Sequence, residues 1–190
     1  MIGFGNLDKF KKKKNKRANP STIQKINRAI KFHSEGNISE AVKLYQKLIS
    51  QGFADQRVFS NYGGILNDFG KFEDAELAYR RAIEINPDYE IAHSNLGNIL
   101  RNLGKFEDAE LAYRKAIELN PDYEIAHYNL GNILRNLGRL ENAELAYRKA
   151  IELNPDYANA HSNLGKTLRD LGKLEELLVF SKLTIESRPI

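Results

Sequence analysis

EIAHSNLGNILRNLGKFEDAELAYRKAIELNPDY, residues 90–123, is followed without a break by EIAHYNLGNILRNLGRLENAELAYRKAIELNPDY, residues 124–157. The two differ only at Ser94/Tyr128, Lys105/Arg139, Phe106/Leu140 and Asp108/Asn142. Repetition at a fixed period decides the architecture before any single element is assigned. The same unit is traceable outward in both directions. Prolines 87, 121, 155 and 189, glycines 36, 70, 104, 138 and 172, and alanines 41, 75, 109 and 143 all fall at intervals of 34. The frames are 22–55, 56–89, 90–123, 124–157 and 158–190, preceded by a tail over 1–20.

Each frame reads as two helices. In EIAHSNLGNILRNL the residues Ala92, Leu96, Gly97, Leu100 and Leu103 recur at steps of three and four, which marks one buried helical face. Gly104 then supplies the positive φ that ends a helix, and FEDAELAYRKAIEL forms a second helix that stops at NPD. Ser21 followed by Gln24 reads as a capping box opening the array after Pro20. Gly97 and Ala109, with their counterparts, are small where two helices cross closely, and Tyr113 and Ala116 complete that seam.

This pattern resembles the tetratricopeptide repeat, whose Leu-Gly, Leu, Gly, Ala, Tyr, Ala and Pro positions are met by Leu96-Gly97, Leu100, Gly104, Ala109, Tyr113, Ala116 and Pro121. The resemblance covers residues 22–190. It departs at Phe53, which replaces the first proline, and at Leu177 and Ser181 in the last frame. It implies an all-α fold, a right-handed α-solenoid of five helix-turn-helix repeats.

On a helical wheel Ala92, His93, Leu96, Gly97, Ile99, Leu100 and Leu103 take the inner arc, and Ile91, Ser94, Asn95, Asn98, Arg101 and Asn102 the outer. In the family the outer arc lines a groove that holds extended peptides, so the resemblance implies that these positions bind a protein or peptide partner. Read along the chain they form columns. Asn27, Asn61, Asn95, Asn129 and Asn163 make one, Arg101, Arg135 and Arg169 a second, Asn102 and Asn136 a third, and Asn98, Asn132 and Lys166 a fourth. Arg57 adds a cation, and Asp68 and Asp170 are the opposing acids. The expected face is polar and mildly basic.

An asparagine amide offers a donor and an acceptor, so it can pair with peptide backbone whatever the side chains. A similar ladder lines the superhelix of the O-linked N-acetylglucosamine transferases. Such amides also bond local backbone, and the sequence leaves both roles open. Tyr128 is either an aromatic anchor for a ligand or a neutral change at an exposed site. A carboxylate clamp of the family's kind needs a lysine in the Tyr128 column, where Ser60, Ser94 and Ser162 stand instead.

The chain contains no cysteine, which excludes disulfides, thiolate metal sites and thiol nucleophiles. His93, His127 and His161 repeat every 34 residues, so they lie on successive layers, roughly 15–20 Å apart by helix packing distances. One metal cannot gather them. They read as packed histidines bonded to backbone, and no metal or other cofactor is expected. No nucleophile with a base and no phosphate loop is present, so the segment is read as a non-enzymatic interaction scaffold. The alternative is the N-terminal substrate-recruiting module of a larger enzyme of glycosyltransferase, sulfotransferase or oxygenase type.

Charge is unevenly placed. Of 29 basic residues, Lys9, Lys11, Lys12, Lys13, Lys14, Lys16 and Arg17 lie in the tail, where Asp8 is the one acid, and the rest of the chain is close to neutral. The plain reading is a solvated tail, and the sharper one an electrostatic contact with nucleic acid or anionic membrane. No apolar run reaches membrane-spanning length, so a soluble, cytoplasmic protein is expected. LEELLVFSKLTI, residues 174–185, is more apolar than its counterparts in earlier frames, which suggests docking onto further residues of a longer chain, a second copy or a partner.

Overall fold

Glycine decides where the first helix of each pair ends. At Gly138, φ is +73°; its N–H bonds Arg135 O at 3.0 Å and the next N–H, of Arg139, reaches Leu134 O at 2.8 Å. This is a Schellman closure, which satisfies carbonyls that the helix end leaves open and requires a left-handed residue. Gly172 closes the next pair's first helix in the same way.

The computed structural model describes residues 19–173 and 175. Among them are nine helices: α1 (Pro20–Ser34), α2 (Ile38–Ser50), α3 (Gln56–Asp68), α4 (Phe72–Ile85), α5 (Glu90–Asn102), α6 (Phe106–Leu119), α7 (Glu124–Asn136), α8 (Leu140–Leu153) and α9 (Ala158–Asp170). The basic segment 9–17 and the apolar segment 174–185 lie outside the described residues, apart from Glu175. The chain forms two compact units, Met1–Gly104 and Lys105–Ile190.

In the first unit α1 packs on α2, α3 on α4, and α4 on α5. The opening cap differs from the expected Ser21–Gln24 box. Asn19 caps α1, its Oδ1 accepting from Thr22 N at 2.9 Å, and Pro20 is the first helical residue. The helix begins two residues earlier because proline is preorganised for that position and lacks the N–H that would go unsatisfied. Ser21 is thereby placed inside the helix. The core is made of small and aromatic residues meeting across the pair: an added Cβ on Gly63 would stand 3.1 Å from the Tyr79 ring.

In the second unit α6 packs on α7, α7 on α8 and α8 on α9. Ala109, Ala116, Ala143, Ala150, Tyr113 and Tyr147 are fully buried. A Cβ on Gly131 would lie 2.6 Å from Cε1 of Tyr147, so only glycine admits this approach of α7 to α8. Two ion pairs that the sequence reading did not anticipate tie each second helix to the turn of the following pair. Buried Glu110 on α6 accepts from Arg139 at 2.7 Å, and buried Glu144 on α8 accepts from Lys173 at 2.8 Å. Glu110 and Glu144 are also held by Arg114 and Arg148 one turn along their own helices.

The NPDY turns are pinned twice. Asn154 Oδ1 accepts from Asp156 N at 3.2 Å, and His161 Nε2 is 2.7 Å from Pro155 O. His93 and His127 repeat this contact with Pro87 O and Pro121 O, each at 2.8 Å. The three histidines are therefore backbone-bonded packing residues, each needing the tautomer with its proton on Nε2.

Candidate functional site

The outer columns of the second unit come together as one hydrogen-bonded patch on α7 and α9. Tyr147, rising from α8 beneath α7, donates its hydroxyl to Asn132 Oδ1 at 2.8 Å. Asn163 Nδ2 donates to the same oxygen at 2.8 Å and to the Tyr128 hydroxyl at 3.3 Å. Lys166 Nζ stands 3.5 Å from Asn163 Oδ1. Three helices are thus linked through side chains alone, with both lone pairs of the Asn132 oxygen in use. Asn132 Nδ2 and the Tyr128 proton face no acceptor among the described residues.

Charge on this patch is partly cancelled. Arg135 Nη2 donates to Asp170 Oδ2 at 2.7 Å, while the buried Nε of Arg135 has no hydrogen-bond partner. Lys166 and Arg169 are exposed, and Arg169 makes no ion pair among the described residues. Asn136 is exposed at the end of α7. Burial pushes the Tyr147 hydroxyl up to about 12, with the charge of Arg135 acting in the opposite direction.

In the first unit the same columns are wired differently. Asn61 on α3 turns back on its own helix, donating to Arg57 O at 2.8 Å. Arg57 itself is clamped by Asp55, the residue that caps α3, at 2.8 Å. On α5, Asn102 Nδ2 reaches Asn67 Oδ1 at 3.4 Å, and Asn95, Asn98 and Arg101 are half-buried. Asn27 on α1 is exposed. The five asparagines of the first column are therefore not one ladder: Asn61 serves its own helix, whereas Asn163 bridges to the preceding pair.

Three residues of the expected open face are covered. Ser94 is 1% exposed, Ser60 5% and Asn129 7%. The cause is visible where both partners share a unit. The tyrosines that close two NPDY turns fold over this column: Tyr89 lies close enough to Ser60 for the serine to lower its hydroxyl against the opposing effect of burial, and the Tyr157 ring lies 4.9 Å from that of Tyr128. Tyr128 also meets the Tyr147 ring at 6.0 Å. Tyr128 is half-buried in an aromatic cluster instead of standing freely on the surface. Burial raises the hydroxyls of both Tyr89 and Tyr157 above the ordinary tyrosine range. Tyr89, Tyr123 and Tyr157 recur at the repeat period, and that recurrence was the available signal for this lid.

Among the described residues no three His, Asp or Glu side chains gather in a way that could hold a metal ion. None of the described helices is long and apolar enough to cross a membrane.

Tetratricopeptide-repeat family models match residues 63–104, 94–158 and 146–178. The chain is a tetratricopeptide-repeat protein. Its fold belongs to the all-α solenoid class of helix-turn-helix repeats, as do those of its structural neighbours. The crystal structure of MamA is similar with a TM-score of 0.77 at 23% identity, covering 83% of this chain and 92% of that one. YrrB, described as a tetratricopeptide-repeat protein with an unusual peptide-binding site, gives a TM-score of 0.73 at 22% identity over 86% of this chain and 84% of its own. The first such domain of Spaghetti (RPAP3), solved with the HSP90 peptide SRMEEVD, gives 0.61 at 26% identity over 62% of this chain and 93% of its own. No curated protein matches the chain in sequence.

Proposed function

We propose that this repeat protein is a non-catalytic, cytoplasmic interaction scaffold, five repeats over residues 21–190, that holds an extended segment of a partner protein against the outer face of its first helices. One observation carries the reading. On α7 and α9 the side chains of Asn132, Asn163 and Tyr128 are fixed by bonds to one another, so Asn132 Nδ2 and the Tyr128 hydroxyl are presented to a ligand with little left to order, beside the exposed cations Lys166 and Arg169. Preorganisation of this kind lowers the entropic cost of binding. The RPAP3 domain, solved with a peptide, supports the same use of the fold.

Magnitudes restrict the ligand. A neutral hydrogen bond is worth about 0.5–1.5 kcal/mol net, whereas ordering a flexible chain costs about 1–2 kcal/mol per residue. Asparagines alone would not hold a peptide, and the exposed cations must add to them. A peptide array probed with the intact chain, with Asn132→Ala and with Lys166→Gln/Arg169→Gln tests this. Ligands should lose roughly tenfold in affinity with the double charge change, as expected for charge-assisted bonds. Ligands indifferent to both variants would remove this face from the mechanism. Tyr128→Phe separates packing from binding, because it removes the hydroxyl that accepts from Asn163 and keeps the ring contact with Tyr157.

A further inference from the structure

The second helices carry a feature that neither their packing nor peptide binding accounts for. Leu111 on α6 and Leu145 on α8 are each 66% exposed, the highest exposure of any large apolar side chain among the described residues. Beside Leu145, on the side of α7 away from Tyr128 and Asn132, lies an open depression of about 490 Å³ between α6, α7 and α8. Its apolar lining includes Ile117, Leu130, Leu134, Leu145 and Ala146. A leucine beside an unfilled apolar hollow is a candidate for burial by a second surface.

Charge indicates which surface. Steps of three or four residues keep side chains on one helical stripe. On α8 that stripe reads Glu141, Leu145, Lys149, and on α6 it reads Glu107, Leu111, Lys115. In each the leucine sits at the midpoint between an acid and a base. The helix dipole favours acids in the first turn and so explains the order of the charges. It does not explain an exposed leucine at the centre. A stripe whose charge reverses sign about an apolar midpoint is complementary to itself after a two-fold rotation, the relation an isologous dimer needs.

We propose that the α6–α8 face binds a second copy of this chain. The two copies lie antiparallel about an axis crossing the helices near Leu111 and Leu145. Glu141 of each copy faces Lys149 of the other, and Glu107 faces Lys115. The leucines of both copies meet over the apolar hollow. Among the described residues Lys149 is paired with Glu152, an exposed residue of its own helix at 2.7 Å, a contact that a second acid can replace.

Sedimentation velocity of the full chain from micromolar to millimolar concentration tests the proposal. The wild type should show a concentration-dependent dimer. Leu145→Glu, a change at an exposed position that leaves the fold intact by circular dichroism, should raise the dimer dissociation constant roughly tenfold or more, as loss of a buried leucine implies. Glu141→Lys alone and Lys149→Glu alone should each weaken the dimer, and the two together should restore it, which a merely apolar contact would not do. A chain that stays monomeric throughout overturns the proposal and leaves this face to a different partner. A dimer indifferent to Leu145→Glu, or a charge exchange without recovery, overturns it as well.

Discussion

Tyr45 and Tyr147 occupy the same place in their frames, both are fully buried, and their hydroxyls have opposite fates. The Tyr147 hydroxyl donates to Asn132 Oδ1 at 2.8 Å, whereas that of Tyr45 has no hydrogen-bond partner. The reason lies fifteen residues upstream, where Asn132 precedes Tyr147 but Ile30 precedes Tyr45. Removing the Tyr147 hydroxyl forfeits one bond, and Tyr147→Phe should cost about 1 kcal/mol. A hydroxyl buried without a partner costs about 1–3 kcal/mol on mutational scales. Tyr45→Phe therefore removes a penalty and should be neutral or stabilising by about 1 kcal/mol. Ile30→Asn supplies the missing acceptor. Its net cost should be smaller by about 1 kcal/mol in the wild-type background than in the Tyr45→Phe background, a difference that a double-mutant cycle isolates. Urea unfolding with matched m-values is the assay. Tyr45→Phe destabilising the chain as much as Tyr147→Phe does, or a cycle showing no coupling, would refute the reasoning.

Gly131→Ala should destabilise by about 1–3 kcal/mol through overpacking against the buried Tyr147 ring, whereas Gly64→Ala, whose Cβ meets only Tyr79 Oη at 3.6 Å, should be neutral or gain about 1 kcal/mol of helix propensity; thermal unfolding compares them. Burial raises the hydroxyls of Tyr45, Tyr79 and Tyr147, so their neutral forms stabilise the fold. That stability should be fully present below the ordinary tyrosine pKa and drain as pH rises from about 10 through the raised values, with tyrosinate absorbance appearing together with unfolding. At Glu144 burial favours protonation, but hydrogen bonds from Lys173 and Arg148 outweigh it and hold the carboxylate below its usual range. The stability difference between wild type and Glu144→Gln should thus be largest at neutral pH and shrink as pH falls through the carboxylate range, as read from urea unfolding across pH.

Most of the helix pairing was legible because the repeat states each instruction several times. Gly138 and Gly172 close helices where a column of glycines said they would, and His93, His127 and His161 bond the backbone as expected from their place on the inner arc. The opening cap was less legible: Asn19 and Ser21 are both competent, and Pro20 decides between them by its place in the first turn. Ion pairs such as Glu110–Arg139 were hidden for a different reason. They join residues 29 apart, a separation that matches neither the helical period nor the repeat length.

The outer face shows where a helical wheel stops being informative. A wheel assigns Ser60 and Tyr128 to solvent because it treats a helix as isolated, yet what covers these positions comes from the next turn along the chain. Tyr89 closes over Ser60 and Tyr157 over Tyr128. A small serine fits under that lid as it stands. A tyrosine in the same place must stack against the lid and send its hydroxyl outward, where Asn163 finds it at 3.3 Å. The substitution that separates two nearly identical repeats therefore changes the junction between α7 and α9 from a covered serine into a fixed donor array. Any ligand preference that distinguishes the fourth repeat from the third would arise from that rearranged junction, with Asn132, Asn163 and Lys166 acting alongside the tyrosine.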